Sequence, residues 1–278
     1  MILREPCLPP GWYPRKKKAI EEFLEPFENR SGTAVAAVAP HAGWYYSGNT
    51  AALAVSSLER KAETVAVIGG HLPSGMPVLM AAEDGVKTPF GTMPIDTELR
   101  NEFEKQVSEG IKPSQSDLYK DNTVEVLLPM LQYFFPEAAL LWLRFPAEQS
   151  SFEAGKLLEN AAKSLNRRVV VLASADLTHY GRNYGFSPKG TGKSALDWVK
   201  NVNDAAFIDA VLEGNPSRVL ERAEKDFSSC SAGAVLGASG FAASPGKKAK
   251  LLDYRTSADV SSGDIPDSFV GYAAIAYI

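Results

Sequence analysis

The chain has 278 residues, of which 45% are hydrophobic and 22% are charged, and its formal net charge is −4. These values are typical of a globular protein with a sizeable core, and the acidic balance argues against a nucleic-acid partner. No apolar stretch approaches the roughly 20 residues that cross a bilayer, and two cysteines in such a chain predict no structural disulfide, so we expect a cytoplasmic protein without a membrane partner.

Strand and helix patterns alternate along the chain. Predicted strands lie at 34–39, 64–68, 138–145, 167–173, 250–255 and 269–278, with short strand-rich excursions at 76–96. Predicted helices lie at 16–27, 49–59 (capped by Ser47 or Asn49), from 97, at 123–135 with an interruption at Pro129, at 151–165, 195–212 and 216–227, and from about 230. The alternation predicts an α/β fold, a single domain over residues 1–278 with a central mixed, largely parallel sheet flanked by helices.

All three histidines follow apolar strands. His41 comes after the strand at 34–39, His71 after the strand at 64–68, and His179 after the strand at 167–173. Carboxyl ends of parallel strands share one edge of a sheet, where open α/β sheets hold ligands. Two glycines before His71 would permit positive φ and the close approach of a ligand. The pattern therefore predicts a metal or acid–base site, against the alternative of buried histidines bonded to backbone carbonyls.

Asp176 and His179 lie three residues apart in SADLTHYG (174–181). One helical turn would place both side chains on the same side, and a carboxylate raises the basicity of a neighbouring imidazole. The pair is thus a candidate for general acid–base catalysis. The alternative is an aspartate that caps a short helix beside a histidine that only packs.

Cys230, in SSCSAGA (228–234), lies at the predicted start of a helix, where backbone N–H groups favour a thiolate. Two imidazoles and one thiolate form a three-ligand set with open positions that suits Zn, Cu or Fe. His41, His71 and Cys230 are therefore candidate metal ligands, and His179 would act beside them. An inert buried cysteine is the alternative.

Several segments together resemble the Memo family, also called protein B of the AmmeMemoRadiSam system. They are R-x-P…G-W-Y-P (residues 4–14), PHAGWYYSG (40–48), KTPFGTMPID (87–96), EVLLPMLQYFFP (125–136), SADLTHYG, CSAGA (230–234) and the closing YRTSADVSSG…FVGYAAIAY. The resemblance extends almost from end to end, and the order and spacing of the segments make it specific.

The resemblance implies a fold similar to class III extradiol dioxygenases and a metal pocket at His41, His71 and Cys230, with Asp176 and His179 beside it. Fe(II) or Cu are the favoured metals and Zn is the alternative. It also implies AMMECR-type and radical SAM proteins as partners. One departure concerns Asn122, which stands where the family usually has a histidine and cannot shuttle protons near neutral pH.

Three functions follow as hypotheses. The first is a metal-dependent, dioxygenase-like oxidoreductase that acts on a small molecule. The second is a non-catalytic module whose pocket binds a metal or a peptide. Aromatic side chains would line its recognition cleft, or would instead be core and rim packing; they are Trp12, Tyr13, Trp44, Tyr45 and Tyr46. The third is a zinc hydrolase, which is least favoured because no nucleophile elbow or H-E-x-x-H helix is present.

Overall fold

A computed structural model describes residues 1–243, 245–261 and 263–278. Its strands are β1 (Leu3–Arg4), β2 (Ala36–Ala39), β3 (Thr64–Leu72), β4 (Leu79–Met80), β5 (Gly85–Thr88), β6 (Gly91–Pro94), β7 (Gln115–Ser116), β8 (Ala139–Pro146), β9 (Val169–Ser174), β10 (His179–Gly181), β11 (Ala249–Thr256) and β12 (Ser268–Tyr277). Its helices are α1 (Lys17–Leu24), α2 (Trp44–Ser57), α3 (Thr97–Gly110), α4 (Asn122–Glu125), α5 (Leu128–Phe134), α6 (Ser150–Ser164), α7 (Lys193–Trp198), α8 (Asp204–Leu212), α9 (Pro216–Asp226) and α10 (Ala232–Ala243).

The central sheet has the order β10-β12-β2-β9-β3-β8-β4-β7, with β11 paired to β12. Its middle strands β2, β9, β3 and β8 are parallel, whereas β12 and β4 run antiparallel to their inner neighbours. A small separate sheet has the order β1-β5-β6. The predicted α/β fold with a mixed, largely parallel sheet is confirmed.

Alternate residues of the middle strands face two apolar layers. On one face, Ile68 and Leu143 pack with residues of α3, α6 and α10; on the other, Val67 and Trp142 pack with residues of α1, α2 and α5. Strands covered on both faces require near-continuous apolar sequence, which explains the runs that predicted them.

Helix α10 is packed closely against α6 and against the end of β8. A Cβ at Gly240 would lie 2.0 Å from the backbone oxygen of Phe152, and a Cβ at Gly233 would lie 2.1 Å from that of Pro146. The small residues of α10 therefore permit backbone-to-backbone contact and fix the position of the Cys230 segment just before it. Among the described residues, no helix combines the length and apolarity needed to cross a membrane.

One helix prediction needs correction. Helix α2 begins at Trp44 rather than at Asn49, and Gly43 precedes it, so neither Ser47 nor Asn49 caps it. The aromatic residues of PHAGWYYSG therefore belong to the helix, and the indole of Trp44 donates to the backbone oxygen of Val126 at 2.9 Å. The interruption expected at Pro129 is confirmed, because α4 and α5 are separate helices and Pro129 lies in the first turn of α5.

Candidate metal centre

The candidate centre lies at the carboxyl edge of the parallel strands. In register, Ala39 of β2 pairs with Ser174 of β9, and Ala173 of β9 pairs with Ile68 of β3. The three adjacent strands therefore end at the same level, and the segments that follow them converge. This placement was expected from the sequence pattern.

The side chains of His41, His71 and Cys230 come together. One ligand atom from each lies within 4.8 Å of the others, and the Cys230 Sγ is 3.3 Å from the His41 Nε2. The imidazole rings of His41 and His71 lie 4.9 Å apart, edge to face. Tetrahedral coordination at about 2.1 Å to nitrogen and 2.3 Å to sulfur places neighbouring ligand atoms roughly 3.3–3.6 Å apart, so the set fits one metal ion after a small closure.

Hydrogen bonds on the opposite side of each ring orient the two imidazoles. The Nδ1 of His41 lies 2.9 Å from the Oγ of Ser174, and the Nδ1 of His71 lies 2.9 Å from the Oδ2 of Asp121. The Nε2 atoms remain for a metal, which is the arrangement in which a second hydrogen bond fixes the ring and increases ligand basicity. A guanidinium nitrogen of Arg144 lies 3.4 Å from the same Asp121 oxygen.

Sequence reasoning missed Ser174 and Asp121 as supporting residues. Ser174 belongs to the SADLTHYG segment, and Asp121 directly precedes the noted departure at Asn122. No spacing rule connects Asp121 with His71, because 50 residues separate them.

The glycines before His71 have a role different from the one predicted. Positive φ occurs at His71 itself (57°), whereas Gly69 and Gly70 have ordinary φ angles. A Cβ at Gly70 would lie 2.3 Å from the Cβ and Oγ of Ser231. The missing side chain thus allows contact with a protein segment, and this contact brings Cys230 beside His71.

The predicted helical turn between Asp176 and His179 is wrong. Residues 175–178 are not helical, and His179 begins β10, paired with Val270 of β12. The two side chains nevertheless meet, because the His179 Nε2 lies 3.8 Å from the Oδ2 of Asp176. The same oxygen is 3.8 Å from the His41 Nε2, and the Oδ1 accepts from the His41 backbone N–H at 2.7 Å. Asp176 therefore connects the two histidines.

The thiol of Cys230 is acidic because of its imidazole neighbours. Burial raises its pKa, but His41 and His71 outweigh burial and lower the pKa from 9.0 to about 5. Cys230 lies two residues before α10, and its backbone N–H donates to the backbone oxygen of Asp176 at 3.2 Å. The predicted thiolate is supported. The contacts with His41 and His71 lower the pKa of Cys230, whereas the sequence suggests the start of a helix as the cause.

The pKa values of the histidines shift in the opposite direction. Burial lowers the pKa of His71, but Asp121 and Cys230 outweigh it and raise the pKa from 6.5 to about 10. The pKa values of His41 and His179 are also raised, because the negative charges of Asp176 and Cys230 outweigh burial. Without a metal, these shifts favour a Cys230 thiolate beside a protonated His71.

Asn122 and the nearby Glu125 have structural contacts. The Asn122 amide donates to the backbone oxygen of His41 at 3.1 Å. Glu125 is buried and accepts from the Tyr13 hydroxyl at 2.9 Å and from the Cys7 backbone at 2.7 Å, so it holds the N-terminal segment. Cys7 itself stays a neutral thiol, because partial burial of its sulfur and the neighbouring Glu125 raise its pKa to about 11.

A cavity of about 710 Å³ opens beside the centre. Its polar lining includes His41, His71, Asn122, Asp176 and His179. Its aromatic lining consists of Trp12, Tyr46, Tyr184 and Tyr272. Of the aromatic residues proposed for a recognition cleft, Trp12 and Tyr46 line this cavity. Tyr13 and Trp44 pack in the core, and Tyr45 is 71% exposed.

The fold and the centre together define an α/β protein with a histidine–cysteine cluster at the carboxyl edge of its sheet. A family model described as Memo-like protein matches residues 4–276, and the chain belongs to the Memo family.

Curated relatives support this assignment. A MEMO1 family protein of Pyrococcus abyssi is 31% identical over 293 residues, and one of Methanosarcina mazei is 32% identical over 287 residues; the alignments cover 99% of each chain. Among solved structures, an uncharacterized protein of Escherichia coli K12 superimposes with a TM-score of 0.50 at 10% identity, covering 87% of this chain and 99% of the other. That similarity concerns the fold alone.

Proposed function

We propose that this protein is a mononuclear metal-dependent oxidoreductase, dioxygenase-like, that acts on a small molecule. The observation that carries the proposal is the convergence of His41, His71 and Cys230 beside a cavity of about 710 Å³. Ligand pockets of about 300–1,000 Å³ are typical of small-molecule sites. A two-nitrogen, one-thiolate set leaves positions open, and Fe(II) or Cu are the favoured metals, with Zn as the alternative.

The residues around the cavity would have two separate roles, metal binding and proton transfer. His41, His71 and Cys230 would hold the ion, and a bound iron or copper would supply one-electron chemistry and a Lewis-acid position. His179 and Asp176 would move protons, since both line the cavity and lie 3.8 Å apart. The buried Nε2 of His179 has no hydrogen-bond partner in the protein, which leaves it for a substrate hydroxyl.

The decisive experiment is anaerobic purification followed by elemental analysis and electronic or EPR spectra. We expect about one equivalent of metal in the wild type, with a thiolate-to-metal charge-transfer band if the ion is Cu(II) or Fe(III). Cys230→Ser should lose this band and bind metal more weakly. Cys7→Ser is the matched control, because Cys7 is exposed and bonded to a different part of the chain.

Equal metal loading and identical spectra in Cys230→Ser and the wild type would remove Cys230 from the ligand set. If the wild type binds Fe(II), Cu and Zn no more tightly than a His41→Ala variant does, the whole proposal is overturned. Oxygen uptake with a panel of small substrates then tests turnover separately from metal binding.

A second candidate is a non-catalytic metal- or peptide-binding module that works with AMMECR-type and radical SAM partners. Asn122 favours this candidate. Its amide donates to the His41 backbone oxygen and cannot act as an acid or base at the centre. Exposed Tyr45 and Tyr46, with rings 5.0 Å apart, would contact a peptide. Partner capture that survives Cys230→Ala, together with no oxygen uptake, would favour this candidate. For either function we infer a cytoplasmic location, consistent with two free cysteines.

A further inference from the structure

A second, smaller cavity approaches the centre from another direction. It has a volume of about 260 Å³, and Leu177, Phe186, Ala223 and Phe227 supply its apolar wall. Cys230 contributes to its lining, whereas His41 and His71 line the large cavity. The candidate ligand set therefore lies between two cavities.

His179 and Tyr184 form the partition, because both residues line both cavities. Their rings lie 5.0 Å apart at 42°. At the outer end, the rings of Phe186 and Phe227 lie 5.2 Å apart, and Phe227 is 62% exposed. The small cavity thus has its own opening to the surface, lined by aromatic rings.

At the inner end, Ser229 and Cys230 are bonded within the protein, whereas the buried Nε2 of His179 in the partition has no protein partner. The Ser229 hydroxyl donates to the backbone oxygen of Asp176 at 3.2 Å, and the Cys230 backbone N–H donates to the same oxygen at 3.2 Å. The Cys230 sulfur lies 3.3 Å from the His41 Nε2. Ordered water needs two to four polar partners, and an apolar cavity of about 150 Å³ already suffices for xenon or benzene. The wall of Leu177, Phe186, Ala223 and Phe227 therefore offers contacts to a small apolar ligand.

We propose that this cavity is an entry and holding site for a small apolar ligand, which is dioxygen in the reaction proposed above, and that the ligand reaches the centre from the Cys230 side. This assignment rests on the proposed oxidoreductase function. An organic substrate in the large cavity would cover the face formed by His41 and His71, and a separate apolar route keeps the centre open to gas while that substrate is bound.

The test uses Ala223→Phe, which places a ring inside the small cavity. Glu224→Phe is the matched control, because it adds the same ring to an exposed position of the same helix. Crystals of metal-free protein are pressurised with xenon. We expect xenon in the small cavity of the wild type and of Glu224→Phe, and none there in Ala223→Phe. Xenon confined to the large cavity, or absent from both, overturns the proposal.

A second measurement follows nitric oxide, a diatomic gas, as it binds to the Fe(II)-loaded proteins in stopped flow. With equal iron content, binding should be several-fold slower in Ala223→Phe and unchanged in Glu224→Phe; equal rates in all three proteins overturn the proposed route. If the wild type loads no metal, the proposed oxidoreductase function fails. The xenon experiment then still decides whether the cavity is an apolar-ligand site.

Discussion

At the scale of single residues, the candidate centre depends as much on supporting groups as on ligands. Asp121 illustrates this, because it contacts His71 and Arg144 at once and accepts from the Thr123 backbone N–H at 2.9 Å. Burial raises the pKa of Asp121, but His71, Thr123 and Arg144 outweigh burial and hold the pKa well below its usual range. A permanent carboxylate therefore orients the His71 ring.

We expect Asp121→Asn to weaken metal binding by about 10- to 100-fold, the usual effect of removing a carboxylate that orients a metal-bound histidine. The asparagine amide has the same shape as the Asp121 carboxylate, but it lacks the negative charge that orients the His71 ring and increases its basicity. Competition with a chelator of known affinity measures the change. Asp209→Asn, at an exposed position, is the control, and equal affinities for the two variants would contradict the role of Asp121.

At the scale of elements, the contact between α6 and α10 positions the cysteine segment. Gly155 and Gly240 let the two backbones touch, since a Cβ at Gly155 would lie 2.0 Å from the Gly237 oxygen. Helix α10 also packs beneath the middle strands that carry the histidines. Displacement of this helix would therefore move Cys230 relative to His41 and His71.

Gly240→Ala should destabilise the protein by about 1–3 kcal/mol, the usual cost of overpacking a dense core. Its added methyl meets the Phe152 backbone at 2.0 Å, and backbone cannot rotate away as a side chain would. Urea unfolding measures the effect. Gly263→Ala is the control because open space surrounds that position. A Gly240→Ala variant as stable as this control would show that the helices separate without cost.

At the scale of the whole molecule, the sequence predicts the sheet and its functional edge but not the contacts between distant segments. Buried strands require long apolar runs, so each strand can be recognised in the sequence by itself. The carboxyl ends of adjacent parallel strands lie at the same edge of the sheet. The meeting of Gly70 with Ser231, or of His71 with Asp121, depends on tertiary packing that no local pattern encodes. The extended path from Asp176 to His179 has the same origin, because pairing of β10 with β12 overrides the local spacing.

Asp204 joins three such distant segments and makes the stability of the molecule depend on pH. It is fully buried in α8 and accepts from the Thr178 backbone N–H at 3.1 Å and from the Tyr254 hydroxyl at 2.7 Å. Burial outweighs these hydrogen bonds and raises the pKa of Asp204 from 3.8 to about 6. Thr178 lies between Asp176 and His179, so the same carboxylate supports the candidate centre from behind.

The sign of the effect follows from proton binding. Below about pH 4 the carboxyl is protonated in both states; between about pH 4 and pH 6 the unfolded chain releases its proton first, so the folded state binds more protons. The free energy of unfolding should therefore fall by up to about 3 kcal/mol from this group as pH rises through that window. Asp204→Asn, which does not titrate, should lack this decline, so its stability relative to the wild type should rise between pH 4 and pH 7. Urea unfolding at each pH measures the difference, with Asp209→Asn as the exposed control. A constant difference across the window would mean that Asp204 titrates as it does in the unfolded chain, and that the hydrogen bonds from Thr178 and Tyr254 fully offset its burial.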